Sequence, residues 1–330
     1  MKKNIIKALA GLLILSGASA CGNDWLSLSD PNHFTADQYW QTEEDFESGL
    51  AAAYRYQRQS EGGFARWYHQ LMILRSDEGY STSPNTTITS YGNFLHDPYI
   101  AKNEAAYISP WRDAYTQIFY ANQVLDALNA TGTSVLTDTK AKEIKGQALF
   151  IRASAYWWMA SLYGKTVKQT TAASSDGLGE GFMTQYEGYH FALNDLIEAE
   201  KLLPASWPAS DLGRVTKGAA YGLSCRLNMQ LAGMCKRPAS IDPEAASHAA
   251  EEMDYWNAAK KNCEDLFALT LYSLVPNYVD NFTSLNEFNS ESIFELPYKY
   301  TGANSYVGDY SGFHRPQYAG LYLASSGGGA

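Results

Sequence analysis

The run EIKGQALFIRASAYWWMASLYG, residues 143–164, carries the longest helical pattern in the chain. Ile144, Ala148, Ile151, Ala155, Trp158, Met159 and Leu162 recur at the three- and four-residue spacing of one helix face, which predicts an α-helix over 138–163. Gly164 then supplies a residue suited to the position just past a helix end. Trp157 and Trp158 are adjacent, so they face different directions. Trp158 shares the apolar stripe and is expected in the core, with Trp157 meeting a neighbouring helix. Arg152 and Glu143 are expected to fix helix packing or ion pairs.

The same spacing recurs outward from this run. TEED at 42–45 has the form of a capping box, with Asp45 standing where Glu is usual. It predicts a helix with Phe46, Leu50, Ala53 and Tyr54 on one face, ending near Gly62 and Gly63. Further helices are predicted over 110–129, 184–203, 214–234 and 252–269. The second of these five carries Tyr115, Ile118, Phe119, Asn122, Leu125 and Leu128 on its core face, and the last carries Trp256, Ala259, Cys263, Leu266 and Phe267. Helices in series with small residues at crossing points predict a mainly α fold of TPR-like stacked helix pairs, with long loops and minor short β segments. Residues 76–103 are rich in Ser, Thr, Asn, Gly and Pro and lack a helical period, so they read as a long loop, a place where function concentrates. From Ser292 onward the chain turns to short β-type runs and Gly/Tyr-rich loops.

The N-terminus is a separate matter. Lys2, Lys3 and Lys7 precede an apolar run from Ala8 to Leu15, too short for the roughly 20 residues a spanning helix needs. Small residues follow up to Ala20, the pattern of a secretory signal over residues 1–20. Ala18-Ser19-Ala20-Cys21 resembles a lipobox, with Ala18 where Leu is commoner. It predicts acylation of Cys21 and a lipid-anchored tether over 21–30; the alternative is an ordinary cleaved signal beside a chance cysteine. Two or more acyl chains hold a protein on a membrane stably. Removing residues 1–20, with three Lys and no acid, takes the formal charge from −10 to −13. That balance disfavours nucleic acid as a partner. Of four cysteines, Cys225, Cys235 and Cys263 remain beside Cys21. Without a CxxC pair they do not read as a disulfide framework or zinc site, and Cys225 and Cys263 are expected as small buried hydrophobes.

Several blocks now fall in one order: DPNHFTADQYWQTEEDFESGLAAAYR, WRDAYTQIFYANQVLDAL, EIKGQALFIRASAYWWMASLYG, NDLIEAEKLLP, GRVTKGAAYGLSCRLNMQLAG, YWNAAKKNCEDLF, YSLVPNY and SESIFELPY. Together they resemble the SusD/RagB family of outer-membrane nutrient-uptake lipoproteins, over roughly residues 24–300. The resemblance implies a helical, TPR-containing lipoprotein facing the cell exterior. It would sit on a SusC-like TonB-dependent transporter, capture glycan and pass it on without catalysis or cofactor. Lys165-Thr166-Val167-Lys168 departs from the family's usual continuation after SLYG. Family members are also longer, so the chain is expected to be a C-terminally short member or a fragment, with a helical domain over 31–300 and a truncated tail over 301–330.

Two segments are expected to contact ligand. One is the loop bearing Arg75, Asp77, Tyr80, Tyr91, Asn93 and Phe94, where rings and amides could stack on and hydrogen-bond to a sugar; Asp77 alone reads as well as a turn residue. The other is the tail with Tyr300, Tyr306, Tyr310 and His314, whose alternative is a loose end. No catalytic residues are assigned. GxSxG, HExxH and GxxxxGK[ST] are absent, the six histidines do not pair at i+3 or i+4, and most acids lie on solvent faces of helices. No metal site of sequence-local ligands is visible. Two other classes compete with glycan capture: peptide or glycopeptide capture by a RagB-like member, and a helical-repeat scaffold for proteins.

Overall fold

The computed structural model describes residues 39–57, 105–172, 179–283 and 286–296. Contacts divide the chain into Met1–Gln41 and Thr42–Ala330. The first unit contributes only Tyr39, Trp40 and Gln41 to the described residues, and the elements below all belong to the second.

Among the described residues there are six long helices: α1 Glu43–Gln57, α2 Ala105–Ala127, α3 Asp138–Tyr163, α4 Gln185–Leu202, α5 Lys217–Cys235 and α6 Glu252–Ala268. The starts of α1, α3, α4 and α5 are set by side-chain caps, which satisfy amides that a helix end leaves orphaned. The Asp45 amide donates to Thr42 Oγ1 (3.3 Å) while the Thr42 amide donates to Asp45 Oδ2 (2.7 Å). Thr137 caps α3 through the Lys140 amide, and Thr184 and Glu187 form a full capping box on α4. As expected, α3 stops at Gly164, whose φ of +73° few other residues adopt. The second helix begins five residues earlier than expected, carrying Pro110 in its second turn, and unwinds into a π-helical turn at Leu128–Gly132.

Side-chain pairings give the order of stacking. The Trp111 ring meets Tyr163 edge-on at 5.1 Å, and further along α2 Arg152 donates to Asn122 Oδ1 (2.8 Å), so α2 and α3 run antiparallel. Tyr54 with Gln147 and Gln57 with Ser154 set α1 parallel to α3. Lys236–Glu252 at 2.9 Å and Asn228–Asn262 at 3.0 Å make α5 and α6 antiparallel. Neighbours alternate in direction while next-but-one helices agree, which is the stacking of helical hairpins. Close approach is built in at Gly146, where an added Cβ would stand 2.9 Å from Leu203 Cγ. Phe46, Leu50, Ile118, Ile151, Tyr156 and Leu196 fill the interior. Each such side chain contributes about 1.5–3 kcal/mol by leaving water.

A charged centre lies inside this stack. Arg152 grips Asp195 with two bonds, Nε to Oδ2 at 2.7 Å and Nη2 to Oδ1 at 2.8 Å, with both side chains only 10% exposed. Its remaining nitrogen reaches Asn122 Oδ1 and the Thr170 carbonyl, and its plane lies over Phe191 at 5.2 Å. One guanidinium therefore ties α2, α3 and α4 to the chain after α3. That chain makes a short antiparallel pair, β1 Thr166–Val167 with β2 Phe182–Met183. The Val167 carbonyl accepts from the Tyr115 hydroxyl (2.9 Å), and the Gln169 amide donates to Tyr156 Oη (2.8 Å). Lys165–Lys168, the departure from the family pattern, therefore lies in a firmly held segment.

Several expectations are corrected. Trp157, not Trp158, is buried, because α5 covers it: its indole N–H donates to Gln230 Oε1 (2.7 Å) and Arg226 lies over its ring; Trp158 is half-buried. Phe119 and Phe267 are exposed, since each lies about one residue off the buried stripe of its helix. Cys225 and Cys263 are half-buried rather than core, and their sulfurs face each other. The segment 292–296, expected to be β-type, contains no strand; residues 269–283 and 286–296 are irregular apart from a 3-10 turn at Tyr278–Phe282.

Candidate functional site

Arg75, Asp77, Tyr80, Tyr91, Asn93 and Phe94 lie outside the described residues, as do Tyr300, Tyr306, Tyr310, His314 and Cys21. What the described residues do form is a cleft of about 240 Å³. Its walls come from three stretches: the α4–α5 connection, the chain leaving α6, and residues 288–295.

The first wall is anchored by Trp207 and Arg214. The Trp207 indole donates to the Val215 carbonyl (2.8 Å), and Arg214 stacks on the ring at 5.7 Å. Arg214 also donates to Asp211 Oδ1 and to Glu47 Oε2, both at 2.7 Å, which brings α1 to the cleft wall. Lys140 completes this network at 2.7 Å from Glu47. Burial alone would raise the Glu47 carboxyl, but the bonds and charges of Lys140 and Arg214 outweigh it and hold it below its ordinary value. The Val215 amide donates to Tyr54 Oη at 2.9 Å, and burial pushes that hydroxyl well above the usual tyrosine range.

Thr216 then caps α5 through the Ala219 amide (3.2 Å) and faces the Tyr272 hydroxyl at 3.3 Å. A Cβ at residue 218 would meet Tyr272 Oη at 2.2 Å, so glycine there leaves room for the tyrosine in the cleft wall. The third wall is a self-bonded turn. Asn289 Oδ1 accepts from the Glu291 and Ser292 amides, Glu291 accepts from the Val275 amide, and Glu295 accepts from the Phe288 amide. Phe288 holds a φ of +55°, a strained value of the kind that clusters at ligand sites.

The chemistry available follows from these bonds. Glu291 and Glu295 are engaged by backbone amides, and Arg214 by two carboxylates. Trp207, Tyr272, Ser206, Ser290 and Ser292 line the open space, with the Tyr272 hydroxyl beside Thr216 Oγ1 and the Ser290 hydroxyl donating to the Ser273 carbonyl. An aromatic face beside hydroxyls suits a ligand with one apolar and one hydrogen-bonding side. On the chain leaving α6, Leu274 is 82% and Tyr278 73% exposed. Sequence reasoning missed these residues as a site, although three of the blocks named for their resemblance, GRVTKGAA, YSLVPNY and SESIFELPY, meet here. Their shared destination was the available signal; their separation along the chain hid it.

Comparison with known proteins adds identity to geometry. Residues 24–229 match the model of a SusD-like family described as starch-binding and associating with the outer membrane. The SusD-like protein P25 of Formosa agariphila is 26% identical over 189 residues, which are 57% of this chain and 31% of that protein. A SusD-like protein from Bacteroides fragilis shares the fold with a TM-score of 0.61 and 25% identity, over 81% of this chain and 47% of its own. Surface glycan-binding protein A from Bacteroides thetaiotaomicron, solved with laminarihexaose, superposes with a TM-score of 0.63 at 21% identity, over 82% and 52%. The chain thus spans between about a third and a half of the length of these relatives. With the family model matched over more than half of its residues and the helical stack shared with solved members, the chain belongs to the SusD-like family of starch-binding, outer-membrane-associated proteins.

Proposed function

We propose that this protein captures a glycan at the outer cell surface and delivers it, uncleaved, to a SusC-like TonB-dependent transporter. Membership of a starch-binding family is the observation that carries this reading. The laminarihexaose complex of a protein with the same fold supports an oligosaccharide as the ligand class. The cleft fits that class: sugar C–H faces would stack on Trp207 while hydroxyls met Tyr272 and the serines. A stacked ring contributes on the order of 1 kcal/mol, as does each hydrogen bond, so a few contacts reach millimolar to micromolar affinity. Glycoside cleavage needs two free carboxylates about 5 or about 6.5–9.5 Å apart. Glu291 and Glu295 are instead held by amides, which favours binding over hydrolysis. Acylated Cys21 would tether the protein to the membrane, and the loop with Arg75, Asp77, Tyr80, Tyr91, Asn93 and Phe94 would extend the contact surface, together with Tyr300, Tyr306, Tyr310 and His314.

The test is affinity electrophoresis through gels containing starch, laminarin or other polysaccharides. Retardation by at least one of them, reduced in Trp207→Ala and kept in Trp256→Ala near the start of α6, outside the cleft lining, supports the cleft. Retardation unchanged in Trp207→Ala moves the site elsewhere, and no retardation by any glycan contradicts capture.

A further inference from the structure

Helices α5 and α6 lie antiparallel, with Cys225 on one and Cys263 on the other. Their sulfurs are 3.1 Å apart, although the residues are 38 positions apart in sequence. A disulfide is about 2.05 Å long, so closure asks for an approach of roughly 1 Å, within reach of small side-chain rotations. The helices cannot easily drift from this register. Asn228 Nδ2 donates to Asn262 Oδ1 (3.0 Å) one helical turn away from the sulfurs, and Glu200 of α4 accepts from Ser224 at 2.5 Å and from Asn262 at 3.4 Å. Both thiols are half-buried, so a reagent can reach them, whereas Cys235 is buried at the end of α5.

We propose that Cys225 and Cys263 form a disulfide that staples α5 to α6. The oxidant is a disulfide of low molecular weight or of an oxidoreductase. One cysteine thiolate attacks a sulfur of that disulfide and expels a thiol; the second cysteine then displaces the mixed disulfide. The protein loses two electrons and two protons, an S–S bond forms, and the oxidant leaves as two thiols. Burial, with the Cys263 sulfur beside it, pushes the Cys225 thiol up to about 11, so the rate should rise with pH across the alkaline range. The staple lies about two helical turns from Gly218 and a similar distance before Tyr272, and it would fix the helix spacing that seats Tyr272 in the cleft wall. The geometry stands independently of the glycan reading.

The experiment equilibrates the purified chain with oxidised glutathione, alkylates free thiols in denaturant, and maps peptides by mass spectrometry. The expected result is a protein lighter by two hydrogens, one cross-linked peptide pair joining Cys225 to Cys263, and alkylated Cys235. Adding reductant should lower Tm by about 5 °C or more. That loss should vanish in C225S and C263S and persist in C235S. The proposal is overturned if Cys225 and Cys263 are both recovered alkylated, if each carries a separate glutathione, or if either is joined to another cysteine. Should a serine variant fail to fold, the wild-type peptide map decides alone.

Discussion

Arg152 and Arg214 sit in regions built from the same parts to different ends. Each arginine holds a carboxylate from a distant helix, Asp195 or Glu47, and stacks on an aromatic ring. Around Arg152 the pair is 10% exposed on both sides, and two parallel bonds satisfy the guanidinium. Around Arg214 the side chains are 23–31% exposed, and the carboxylates come from two places. The buried centre gains its strength from the penalty of breaking it, since a lone buried charge is costly. The cleft wall is screened by water, so its ion pairs contribute little singly and serve to hold Trp207 in position. One region locks the fold; the other presents a surface.

Cutting each arginine from its carboxylate tests that contrast at its widest. Asp195→Ala should lower the unfolding free energy by about 3–5 kcal/mol, read from urea denaturation. Asp211→Ala should change it by about 1 kcal/mol or less. Equal losses would erase the distinction. Gly146→Val drives a side chain into Leu203 and should cost roughly 1–3 kcal/mol in the same assay. Thr216→Ala removes the α5 cap at the cleft and should cost about 1 kcal/mol.

The smallest effect concerns pH. The folded Glu47 carboxyl lies below its unfolded value, so its stabilising contribution is present above the unfolded pKa of about 4.3 and is lost as pH falls through the folded pKa. Glu47→Gln should therefore flatten the acid limb of the stability–pH curve, measured from pH 7 downward. An unchanged acid limb would show that Glu47 has no strong hold on Lys140 and Arg214.

Legibility in the sequence followed from the range of the cause. Helix α3 could be read almost to the residue, because its stripe and Gly164 are local. The capping box at Thr42 is local too. One stripe places Trp158 in the core, but α3 is central and buried on several sides, so helical period cannot rank its two tryptophans. Phe119 and Phe267 failed at the stripe's edge, where a rotation of one residue exchanges core for solvent. The cleft was illegible for a different reason. Trp207, Gly218, Tyr272 and Asn289 acquire meaning only when α5 and α6 fold back on each other, and no periodicity encodes that juxtaposition. The sulfur pair was invisible likewise, since 38 residues separate its halves.

Isothermal titration of the purified protein with defined starch- and laminarin-derived oligosaccharides, followed by chromatography of the recovered ligand, tests capture without cleavage most directly. Saturable millimolar-to-micromolar binding with every oligosaccharide recovered at its original length is the predicted result. Shortened products, or no heat with any glycan at millimolar concentration, would contradict it.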